Sequence, residues 1–75
     1  MAEVSACFGA NLKRLRAASG LSQEALADRA GIHRTQIWKF ENGSCSPRLD
    51  GLVKLAGALG TDPNGLLRGI CWVLD

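Results

Sequence analysis

The sequence has no tyrosine, a single histidine, and only two prolines, two tryptophans and two phenylalanines among its 75 residues. It also lacks any long hydrophobic run. The longest is the five residues 70–74, against the roughly 20 that a membrane-spanning helix needs, so no transmembrane segment is expected. Signal-peptide character is missing too, because Lys13, Arg14 and Arg16 interrupt the nearest approach to an apolar stretch in the first 20 residues. These absences predict a cytoplasmic protein that is neither secreted nor membrane-bound. The three cysteines, Cys7, Cys45 and Cys71, are odd in number and widely spaced, and His33 has no ligand neighbour, so the pattern matches no metal site. No metal or other cofactor is expected, and the cysteines read as free thiols of a reducing compartment. With one histidine and no carboxylates paired for acid–base work, the sequence predicts no enzyme.

What is present suits one small domain over residues 1–75. Hydrophobic residues make up 47% and charged residues 21%, an ordinary globular balance. Nine Lys and Arg against seven Asp and Glu leave +2, which alone implies no polyanionic partner, so the placement of charge matters more than its sum. Phe8, Leu12, Leu15 and Ser19 recur at helical spacing, with Gly20 as a stop. Ser22 can cap a second helix whose first turn holds Gln23 and Glu24, and Ala25, Leu26, Ala27 and Ala30 keep it slim up to Gly31. A third helix runs from about His33 to Glu41 or Asn42, with Ile37 and Phe40 as its apolar pair and Asn42-Gly43 at its end.

Pro47 lies just before or within the first turn of a strongly apolar fourth helix. That helix carries Leu49, Leu52, Val53, Leu55, Ala56 and Leu59 and closes at Gly60. Thr61-Asp62-Pro63 then opens a short fifth helix through Leu66 and Leu67. Nothing before residue 70 alternates with strand period. The predicted fold is therefore all-α, a five-helix bundle with a short apolar C-terminal extension.

Residues 22–42 carry the most information. Two short helices meet across Ala30-Gly31-Ile32, with alanines where they must approach and glycine at the corner, the spacing of a helix-turn-helix. A generic helical hairpin would not need the remaining face of helix three, where His33, Arg34, Thr35, Gln36, Trp38 and Lys39 are polar, basic or amphipathic. Together with LKRLR, GLSQEALA, FENG, SPRLDGLVKLAGALG and DPNGLL in that order, the chain resembles the phage repressor and Cro-like family of DNA-binding domains over residues 8 to about 68.

That resemblance implies a repressor-like bundle in which helix two lies across the DNA backbone and helix three enters the major groove, with double-stranded DNA as the partner. Gln23 matches the position where the family grips a phosphate at the start of helix two. Arg34, Thr35 and Lys39 fall where the family's helix three meets base edges; Arg and Lys can donate to guanine O6 and N7, and Thr can hydrogen-bond or touch a thymine methyl. His33 and Gln36 flank that face as backbone contacts. Asn42 and Gly43 stand where the family offers an amide and a main-chain N–H to phosphate. Arg48, with Ser44 and Ser46, either extends that contact or solvates the start of helix four. Arg16 and Glu41 match the family's internal ion pair. Trp38 departs from the pattern, since its position is usually small or polar. An indole there either packs on a sugar or a thymine methyl, or lies against the neighbours of Phe40.

The last residues differ from the rest. Ile70, Trp72 and Leu74 alternate with Cys71 and Val73, all apolar, and could extend helix five or form a short strand. The segment at about 69–75 is expected to drive dimerisation, because reading two half-sites takes two copies; the competing reading folds Trp72 back onto its own bundle. The expected function is a sequence-specific transcriptional regulator acting as a homodimer on roughly palindromic half-sites. It would be either a minimal repressor or an activator resembling restriction–modification controllers. The alternative is an antitoxin-type module whose C-terminal tail binds another protein and whose DNA binding is autoregulatory.

Overall fold

The computed structural model describes residues 2–70, which form five helices: α1 (Ala2–Ala18), α2 (Gln23–Ala30), α3 (Arg34–Glu41), α4 (Leu49–Leu59) and α5 (Pro63–Leu67). Their ends follow local side-chain chemistry. The Ser22 hydroxyl accepts the Ala25 N–H at 3.0 Å to open α2, and the Asp62 carboxylate accepts the Gly65 N–H at 3.2 Å ahead of Pro63 in α5. Gly31 takes φ +69°, where a side chain would be strained. From there the N–H groups of Gly31 and Ile32 turn back to the carbonyls of Asp28 and Ala27 at 3.3 and 3.0 Å. The last turn of α2 is thereby satisfied while the chain swings into α3.

Each helix supplies one fully buried aliphatic side chain to a common core: Leu12, Leu26, Ile37, Leu55 and Leu66. Cutting any of these to alanine removes about 2–5 kcal/mol. Phe8 and Phe40 meet edge to face with ring centroids 6.3 Å apart, joining α1 to α3. Gly9 brings these two helices closer still. A Cβ there would stand 2.8 Å from the Glu41 carbonyl oxygen and closer yet to that of Phe40, so α3 is seated with its C-terminal turn against α1. That seating leaves the opposite side of α3 facing outward.

Asn11 is a buried polar residue. It stands on the core stripe of α1, and its Nδ2 donates to the carbonyls of Leu66 and Arg68 at 2.9 and 2.8 Å. Those carbonyls lie at the end of α5, where a helix has no partners of its own for them. Replacing Asn11 with leucine keeps the volume and strands both acceptors. We expect Asn11→Leu to lower stability by about 1–2 kcal/mol, read as a lower melting temperature in a thermal melt.

Several details depart from the sequence expectation. Ser19 lies past the end of α1 and is exposed. The apolar residues of α4 do not all enter the core: Leu55 and Ala56 are buried and Leu52 and Leu59 half-buried, but Leu49 is 78% and Val53 54% exposed. A helix apolar over so wide an arc has more hydrophobic surface than this small bundle can cover. Ile70, expected in the association segment, is half-buried and packs on the protein's own core. Trp72 and Leu74 lie outside the described residues, as does Cys71.

Candidate nucleic-acid interface

The 3.6-residue period of α3 sends Ile37 and Phe40 inward and leaves Arg34, Thr35, Gln36, Trp38 and Lys39 exposed. Thr35 is central to that outer face, with Trp38 and Lys39 beside it and Arg34 and Gln36 at its margins. Trp38 is 55% exposed and lies on the outer half of the helix.

His33 precedes the helix as its N-cap: Nδ1 accepts the Thr35 N–H at 3.1 Å. This bond needs Nδ1 unprotonated and leaves Nε2 as the outward donor. Capping is a role that sequence reasoning had not assigned to it.

The first turn of α2 abuts α3 through one carboxylate. Glu41 accepts from Arg16 Nε at 2.5 Å and Arg16 Nη2 at 3.1 Å, and from Gln23 Nε2 at 3.0 Å. Its side chain is only 5% exposed. Arg16 Nη1 further donates to the Leu21 carbonyl at 2.8 Å. Hydrogen bonding to Glu41 raises the Arg16 pKa above its ordinary value, against the opposing effect of burial and with the help of charge attraction. A folded-state pKa raised in this way keeps its stabilisation at every pH below the ordinary value and loses it only in strong alkali. The guanidinium is therefore charged throughout the working range. Through Glu41, helices α1, α2 and α3 are tied at one point. Gln23, expected on a phosphate, has one amide hydrogen committed to this network, and the other remains for a ligand.

Arg34 is held more loosely. Its Nη1 stands 3.6 Å from Glu24 Oε2, and both side chains are 69% exposed. An exposed pair of this kind contributes little stability and exchanges easily for another acceptor. Glu24 had not been singled out in the sequence, where it read as a first-turn acidic residue.

The end of α3 is closed by local hydrogen bonds. Gly43 takes φ +79°, and its N–H donates to the Phe40 carbonyl at 3.2 Å while the Ser44 N–H donates to that of Lys39 at 3.0 Å. The Gly43 N–H, expected to meet a phosphate, thus also takes part in closing the helix. Asn42 Oδ1 accepts from the Ser44 N–H at 2.9 Å and from the Ser44 hydroxyl, leaving the Asn42 amide N–H groups as the donors at this end. Ser46 shares a 2.7 Å hydrogen bond with Ser5 and ties its loop to α1. Arg48 is exposed at the N-cap of α4 without a side-chain cap bond.

A residue given no binding role by the sequence joins the site: Lys13 of α1 borders a hollow with Gln23, Trp38 and Asn42. A second hollow is lined by Gln23, Arg34, Thr35 and Trp38. The outer row of α3 is thus flanked on one side by Gln23 and Lys13. Donors for base edges occupy the protruding helix, and donors for a backbone occupy its rim.

A short helix propped by another across a glycine corner, with a polar and basic outer row, is the architecture of a helix-turn-helix domain. The family model described as "Helix-turn-helix domain" matches residues 8–68, and the chain belongs to this family. It is 42% identical over 62 residues to the SPbeta prophage-derived HTH-type transcriptional regulator YonR of Bacillus subtilis, covering 83% of this chain and 57% of that protein. It is 39% identical over 61 residues to the control protein C.BamHI of Bacillus amyloliquefaciens, covering 80% of this chain and 75% of that one. Among solved structures, the restriction-modification controller protein C.AhdI from Aeromonas hydrophila matches with a TM-score of 0.81 at 40% identity, over 83% of this chain and 94% of that one. The chain thus spans little more than half of the prophage regulator and nearly all of the C.AhdI chain. These relatives bear the names of regulators and controllers, not of enzymes.

Proposed function

We propose that this chain is a sequence-specific DNA-binding transcriptional regulator of bacterial cytoplasm, acting as a homodimer on roughly palindromic half-sites in the manner of a restriction–modification controller. The observation that carries this reading is the outer row of α3, where Arg34, Thr35 and Lys39 stand exposed and the first two line a hollow with Gln23 of α2. The first three are the base-reading candidates. Gln23, His33, Gln36, Asn42 and Arg48 are the backbone-side candidates, to which Lys13 is added. The 40% identity to the controller protein C.AhdI over 83% of this chain supports the controller role.

Selection from a randomised duplex pool with the full chain tests the reading. Enrichment of an inverted repeat with half-sites about 34–36 Å apart is expected, with affinity falling steeply as salt rises because phosphate contacts release counterions. A pool that shows no sequence enrichment would refute sequence-specific binding.

The exposed pair Leu49 and Val53, one turn apart on α4, supports self-association through that helix beside the C-terminal segment. Sedimentation velocity of the full chain is expected to show a dimer, and Leu49→Glu with Val53→Glu a monomer. A dimer that survives both changes would return the interface to the tail around Trp72 and Leu74.

A further inference from the structure

Trp38 is the one large apolar side chain on the outer face of α3, and every neighbour on that face is polar or charged. Nothing in the bundle requires an indole there, because the core side of the helix is already filled by Ile37 and Phe40. Its surroundings are specific, however. It lines the hollow it shares with Gln23, Arg34 and Thr35 and also the one that reaches Lys13 and Asn42. The indole therefore stands between the side chains suited to base edges and those suited to phosphates.

In the major groove, one apolar group occupies the space between base edge and backbone, the C5-methyl of thymine. Resting on the DNA-binding reading above, we propose that Trp38 is a specificity-determining residue that selects thymine in each half-site through contact with this methyl group. The selected thymine lies beside the base read by Arg34, since Arg34 and Trp38 are four residues apart and therefore adjacent on the helix surface. An apolar contact of this kind adds sequence information without a hydrogen bond. It also gives a solvent-facing indole a buried area in the complex.

Replacing thymine by deoxyuracil removes the methyl group and leaves every hydrogen-bonding atom in place, so the test isolates this contact. The probe is the tightest duplex recovered from the randomised pool, together with copies in which one thymine pair at a time, one in each half-site, becomes deoxyuracil. With the full chain, one pair of symmetric positions is expected to lose about threefold to fivefold in affinity per methyl, the scale of burying one such group. With Trp38→Ala, the affinity for the thymine duplex falls and the deoxyuracil penalty at those positions disappears, while Trp38→Phe retains part of it. A thermal melt of Trp38→Ala matching the parent chain shows that the fold is intact.

A penalty that persists in Trp38→Ala assigns the methyl to another side chain and overturns the proposal. So does an equal Trp38→Ala loss on thymine and deoxyuracil duplexes, which would mean packing on a sugar. If the pool yields no preferred duplex at all, it is the DNA-reading function itself that fails, and the two failures are distinct.

Discussion

Glu41→Ala is expected to cost about 3 kcal/mol of folding stability, the lower end of the range for breaking a buried ion pair. In a chain of this size that is on the order of 15 °C in melting temperature. The Glu41 carboxylate is spent on Arg16 and Gln23. Removing it leaves the Arg16 guanidinium, itself only 16% exposed, without its counter-charge and frees Gln23 from α3. Three helices lose their common tie. An unchanged melting curve would show that water replaces the carboxylate at no cost and that α3 is held by Gly9 packing and the core alone.

A second variant separates stability from function. Arg16→Met with Glu41→Leu swaps the pair for apolar groups of similar size, a change that is often neutral or stabilising. The fold should then recover, whereas Gln23 stays without its anchor. DNA affinity should fall by a similar factor on the selected site and on random duplexes, because a phosphate grip carries no sequence information.

The helix boundaries were legible because each is marked by a residue whose chemistry acts locally. Ser22 and Asp62 cap through their own side chains, and Gly31 turns through its own backbone. The core was legible for the same reason in α1 to α3, where apolar residues are few and regularly spaced. In α4 they are too many, and nothing local distinguishes buried Leu55 from exposed Leu49; only the position of α2 and α5 decides. Asn11 was missed, although a polar residue among Phe8, Leu12 and Leu15 calls for a partner in the core.

Other features depend on where distant segments meet. Gly9 resembles any small helical residue until the carbonyls of Phe40 and Glu41 are set against it. The Arg16–Glu41 pairing came from family resemblance, since 25 residues separate the two. The links from Gln23 to Glu41 and from Arg34 to Glu24 are likewise contacts between helices. The closure at Gly43 was hidden for a different reason. The glycine that lets α3 end also directs its own N–H back to the Phe40 carbonyl, a bond that residue spacing does not display.

Arg34→Ala is expected to lower affinity for the selected duplex by about 1–3 kcal/mol, roughly fivefold to 150-fold, and to leave random duplexes nearly unchanged. The fold should be indifferent to the change, because the guanidinium is 69% exposed and its pairing with Glu24 spans 3.6 Å at the surface. What is lost is a planar fork matched to guanine O6 and N7, a geometry that lysine cannot reproduce. Arg34→Lys should therefore recover little of the discrimination while keeping the charge. Gel-shift titrations of the three proteins on the selected duplex, on copies with the guanine replaced, and on random DNA distinguish a base reader from a phosphate contact. If alanine weakens all duplexes equally and lysine restores them, Arg34 acts as a charge on the backbone, and reading falls to Thr35, Lys39 and their neighbour Trp38. If only the guanine-containing duplex suffers, the weak hold of Glu24 takes on a function. It keeps a long, mobile side chain near the groove at little energetic cost, so that transfer from carboxylate to guanine requires no rearrangement of the helices.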